Sequence, residues 1–69
     1  MSKTLAKTLA KQEAAGLKID MIVVEYRGNK FAPVRASDLT GAHCPGKSPN
    51  FRRIICGFRG SDGAEHQGY

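Results

Sequence analysis

Residues 19–36 read IDMIVVEYRGNKFAPVRA, and the fold is decided here. Side chains alternate across a strand, so Ile19, Met21 and Val23 share one face while Ile22, Val24 and Tyr26 share the other. Both faces are apolar through the middle, as in a central strand covered on two sides. The pattern predicts a strand over 17–27. Gly28-Asn29 separates it from a second strand-like run, the signature of a two-residue type II′ hairpin. Such a turn sets Tyr26 opposite Phe31, Val23 opposite Val34 and Arg27 opposite Lys30. The second strand, about 30–36, contains Pro33, which cannot donate to a ladder and so belongs at a sheet edge.

Upstream, KTLA-KTLA-KQEA predicts a helix over 3–15. At about 100° per residue, Lys3, Lys7 and Lys11 form one stripe, and Leu5 and Leu9 lie nearly opposite with Ala6 and Ala10 between. Ser2 suits the N-cap and Gly16 the position just past the last turn. With two large apolar residues on its buried stripe, this helix needs a sheet or a partner to hold it. Downstream, residues 37–50 are turn-rich and read as a loop, with a helical turn near Leu39. Residues 51–59 read as a third strand with Ile54, Cys56 and Phe58 on one face. Residues 60–69 read as a flexible tail.

The expected architecture is α+β: one N-terminal helix packed on a three-stranded antiparallel sheet. A small open β-barrel is the alternative, because a curved sheet could bury both faces of residues 19–26. One helix covers one face of a sheet, so a homodimer is expected to bury the other. The chain has 69 residues and forms one small basic domain. A core this size rarely supplies more than about 3–5 kcal/mol without a metal, disulfide or second subunit. Multi-domain enzymes and deep cofactor clefts are excluded by size, and no apolar run is long enough for a membrane span. No secretory signal is visible, since Lys3, Lys7 and Lys11 interrupt any apolar region, so Cys44 and Cys56 are expected as reduced thiols in a cytoplasm.

The formal net charge is +5, which favours polyanionic partners. Its distribution is uneven: Arg27, Lys30, Arg35, Lys47, Arg52, Arg53 and Arg59 face Asp38 alone within 26–60. Four aromatic residues adjoin a basic one, in Tyr26-Arg27, Lys30-Phe31, Phe51-Arg52 and Phe58-Arg59. Cations neutralise phosphates, and aromatic faces accept bases without regard to sequence. Simple strand alternation, with aromatics in the core and arginines in water, produces the same adjacency. Residues 22–29 (IVVEYRGN) and 54–61 (IICGFRGS) also echo one another, so two turns would each present an aromatic–arginine pair.

Three chemical motifs carry less. Gly41 to Ser48 fits the phosphate-loop pattern G-x-x-x-x-G-K-S, yet no buried strand leads in and Pro49 stops a following helix. A Gly-Lys-Ser turn can still meet a phosphate oxygen through Lys47. His43, Cys44, Cys56 and His66 lack the paired spacing of structural zinc sites, so no metal or other cofactor is expected. Cys44 has neither a positioned base nor a pocket, so no catalysis is expected either.

These residues point to a non-enzymatic nucleic-acid-binding protein. Its binding surface is the hairpin tip 26–31 and strand 51–59. Arg27, Lys30, Arg52, Arg53, Arg59 and Lys47 would meet phosphates, and Tyr26 and Phe31 would stack or pack. The alternative is a protein-binding inhibitor or accessory module, of the kind mobile elements encode, docking through an acidic surface on a larger assembly.

Overall fold

The structure, a computed structural model, describes residues 1–41 and 44–67. Helix α1 (Lys3–Leu17) leads into strand β1 (Met21–Tyr26), β2 (Lys30–Arg35), two short 3₁₀ turns (Ala36–Thr40 and Pro45–Lys47), β3 (Phe51–Phe58) and β4 (Glu65–His66). The strands form one antiparallel sheet in the order β2-β1-β3-β4. The fold is α+β with an open sheet, so the barrel alternative does not apply. The fourth strand arises within the expected tail. Arg59 donates its N–H to the Ala64 carbonyl at 3.0 Å, and Gly63 donates to the Arg59 carbonyl at 2.7 Å. That closes a hairpin and brings Glu65 opposite Phe58 and His66 opposite Gly57.

The first hairpin keeps its place but not its expected register. Tyr26 pairs with Lys30, Val24 with Ala32 and Val23 with Pro33, one residue out from the expected pairing. Arg27 therefore does not face Lys30. Gly28 and Asn29 both have positive φ, 81° and 57°. A type II′ turn needs positive φ only at its first residue, and the pairing of Tyr26 with Lys30 leaves a three-residue connection, Arg27-Gly28-Asn29, in place of the expected two-residue turn. Pro33 does sit on an edge strand, as expected. Phe31 and Pro33 share the outward backbone side of β2, since the intervening parity belongs to Ala36, which donates inward to the Asp20 carbonyl. Phe31 N–H is taken by the Met1 carbonyl at 3.3 Å, and Pro33 has none to offer. The edge is thereby blunted against stray strand pairing.

Ser2 caps α1, its Oγ accepting from Leu5 N–H at 3.1 Å. The helix runs past Gly16, and Lys18 takes the left-handed C-cap conformation at φ 57° instead. Its buried stripe is Ala6, Ala10 and Ala14, all fully buried, while Leu5 stays about half exposed at 48%. The leucines were expected to line that stripe. Alanines let the helix approach the sheet closely, and the larger sheet residues Met21, Val23, Cys56 and Phe58 fill the space beneath.

Strand β3 carries two extra residues relative to β1. Cys56 faces Val23, but Ile54 faces Val24. Arg53 faces Glu25, but Phe51 faces Tyr26. Ile55 and Arg52 are the bulged residues, and each resets the alternation of faces. Ile54 therefore lies on the face of Val24, not with Cys56 and Phe58 as the plain alternation suggested. Ile22 and Val24, on the face away from α1, are fully buried within the single chain. The two 3₁₀ turns lie against β2 and β3, and Pro45 is buried. Ile22 and Val24, the strand residues expected to need a second copy for cover, are thus buried without one.

Candidate functional site

The candidate site is the end of the sheet where β1 finishes and β2 and β3 begin. Register brings Tyr26 beside both Lys30 and Phe51. Arg27 donates its N–H to the Asn50 carbonyl at 2.8 Å, fixing the hairpin tip to the entry of β3. Tyr26, Arg27, Lys30, Arg52 and Arg53 are thus gathered from two separate stretches of chain. Glu25 is the only acid in β1, β2 or β3; it shares the α1 face with Arg53, while Tyr26, Lys30 and Phe51 pair on the other face.

Glu25 organises the two arginines. Arg53 Nε donates to Glu25 Oε1 at 2.8 Å, and Arg52 Nη1 lies 4.0 Å from Oε2. The carboxylate side chain is only 9% exposed, whereas Arg53 is 71% and Arg52 58% exposed. In a regular strand, residues 52 and 53 would point to opposite faces. The Arg52 bulge turns both toward one carboxylate, as the other bulge turns Ile55 and Cys56 both toward the helix. The Arg53 hydrogen bond holds the Glu25 carboxyl below its ordinary pKa, against the opposing effect of burial, and Arg52 and Lys3 add to the lowering. The Phe31 N–H bonded to the Met1 carbonyl places the start of the chain at this same end.

The other expected residues divide. Phe31 is partly buried and packs against the core, so it is chiefly structural. Lys47 is exposed in the Pro45–Lys47 turn just ahead of β3. Arg59 is remote. The antiparallel arrangement sends the end of β3 to the opposite end of the sheet, where Arg59 Nη2 meets Asp62 Oδ2 at 3.4 Å. The two echoed turns consequently do not form one surface. Glu25, Lys3 and Phe51 stand outside the expected binding set, although Phe51-Arg52 was visible as an aromatic–basic pair and Lys3 as part of the lysine stripe. Phe51 packs edge to face on Tyr26, with ring centroids 6.4 Å apart and planes at 79°. A lone acid in an apolar strand was the available signal for Glu25; nothing local ties residue 3 to residue 53.

The lysine stripe of α1 is not simply a solvated outer face. Lys7 Nζ meets Glu65 Oε2 at 3.0 Å, and that contact raises the lysine pKa. Cys56 is a free thiol fully buried beneath the helix, its pKa raised chiefly by burial. His43 lies outside the described residues. Among the described residues, no three His, Cys, Asp or Glu side chains converge as a metal site would require. Of the phosphate-loop match, Pro45–Lys47 forms a short 3₁₀ turn and leads into β3, without the helix that motif needs. Among the described residues no helix is long and apolar enough to cross a membrane. No protein-family model, curated protein or solved structure matches the chain.

Proposed function

We propose that this protein is a non-enzymatic nucleic-acid-binding protein that engages the phosphate backbone through the basic end of its sheet. One observation carries the reading: Arg27, Lys30, Arg52 and Arg53, drawn from two separate parts of the chain, lie at one end of the sheet, where Glu25 is the single strand acid. Cations gathered this closely repel one another, and a polyanion relieves that repulsion. Phosphate contacts need no base readout, so the reading implies affinity with little sequence preference. Lys47, exposed just ahead of β3, adds a further cation.

The test is a titration of a fluorescent single strand and a duplex across a salt series. Five phosphate contacts predict a slope of log affinity on log salt of roughly −3.5 to −4.5. A flat response, or no binding at low salt, refutes the reading. A second reading, a module that docks on an acidic protein surface, draws on Met1 and Leu5, which are exposed apolar residues at the start of α1. Apolar anchors rimmed by cations suit a protein interface.

A further inference from the structure

Resting on that reading, we infer that Glu25 is a positioning residue, whose negative charge presets Arg52 and Arg53 as a two-armed receptor for backbone phosphate. The geometry assigns the arms. Glu25 takes Arg53 by Nε, the donor nearest the root of the guanidinium. Arginine carries five N–H groups, so the four on the Nη atoms remain, and a side chain 71% exposed presents them to solvent. These are the donors that grip phosphate in the two-point manner lysine cannot reproduce. Arg52 stands beside it at the same carboxylate because of the bulge. Two free arginine side chains would wander and repel; the buried carboxylate holds Arg53 by its Nε and draws Arg52 Nη1 to 4.0 Å, leaving the Nη edge of Arg53 open. Ordering has then been completed before the ligand arrives.

The inference makes a prediction of opposite sign to plain electrostatics. On charge alone, Glu25→Gln removes an anion from a basic surface and should tighten nucleic-acid binding. If Glu25 positions the arginines, the same change weakens binding. The experiment measures affinity for a fluorescent oligonucleotide across a salt series, with a melting curve for each protein. The expected result for Glu25→Gln is affinity about ten-fold lower at low salt, with the slope shallower by about one phosphate contact. Arg53→Lys keeps the charge but loses the planar fork, and it is expected to weaken binding by several-fold as well. It carries the test if Glu25→Gln does not fold. Salt-independent behaviour of the unaltered protein overturns the nucleic-acid reading and the inference with it. Normal binding by that protein, with equal or tighter binding by Glu25→Gln, or with unchanged binding by Arg53→Lys, overturns the inference alone.

Discussion

The two turns that share an aromatic–arginine–glycine sequence, Tyr26-Arg27-Gly28 and Phe58-Arg59-Gly60, do different work at opposite ends of one sheet. Tyr26 is half-buried, Arg27 is exposed and Gly28 has open space around it. Phe58 is core, Arg59 is paired with Asp62, and Gly60 is pressed against the α1–β1 connection. At the first end, cations crowd around one carboxylate. At the second, charges are matched locally: Arg59 with Asp62 and, nearby, Lys7 with Glu65, while Asp20 Oδ1 accepts the Gly60 N–H at 2.8 Å. A short sequence likeness therefore says that each strand ends in a turn. What the turn is for depends on what the sheet places beside it.

The glycines offer the sharpest test. A Cβ on Gly60 would lie 2.5 Å from Ile19 N and Lys18 C, both backbone atoms that cannot step aside. Gly60→Ala is expected to cost about 3 kcal/mol, nearly the whole stability of a domain this small. Gly28 needs its freedom for a different reason, its φ of 81°. Gly28→Ala is expected to cost about 1–2 kcal/mol from left-handed strain. Chemical denaturation of both variants checks this, and equal losses would erase the distinction between a steric and a conformational glycine.

Binding should separate the ends next. Replacing Arg27 and Lys30 together by Ser is expected to leave the melting temperature nearly unchanged, since neither faces the other across the strands. Affinity for nucleic acid should fall by about 1 kcal/mol or more. A variant that melts several degrees lower yet binds normally would make the tip structural.

Acid distinguishes them by another route. The folded-state pKa of Glu25 lies below its ordinary value of 4.5, so the unfolded chain takes up that proton first. The contribution of Glu25 is complete above that value and is lost as pH falls from it through the lowered folded value. Melting curves recorded down that window should show the unaltered protein losing stability more steeply than Glu25→Gln. Parallel curves would mean that the arginines do little to hold the carboxylate. The smallest effect belongs to Arg59→Ser. Its exposed ion pair is worth less than about 1 kcal/mol, and nucleic-acid affinity should not change. A loss of affinity matching that of the tip variant would return Arg59 to the site.

Much of this fold is legible in the chain because local chemistry speaks clearly there. The two-sided apolar run over 21–24 demands a central strand, Gly28-Asn29 demands a tight turn, and Pro33 marks an edge. The misreadings concern quantities set by packing distance. Ala6, Ala10 and Ala14, not Leu5, take the buried stripe because the helix sits close, and proximity to a sheet is not written in helical periodicity. The bulges at Arg52 and Ile55 leave no local mark, yet they decide which side chains share a face. Strand β4 has no apolar alternation and exists through its pairing with β3. Of the site, the hairpin tip and the 52–53 arginines were visible as adjacent basic residues. Arg59 was misplaced because an antiparallel strand carries its last residue away from its first.

The bulge at Arg52 has an evolutionary corollary. Removing that one residue would bring Phe51 next to Arg53 and leave the pairings Tyr26–Phe51 and Glu25–Arg53 in unbroken succession. Its neighbours on both sides already hold the positions they would occupy in a regular strand. The second arginine is thus one codon away from a regular β1–β3 ladder. The paired arginines could be gained or discarded in one genetic step, independently of the history of the fold that carries them.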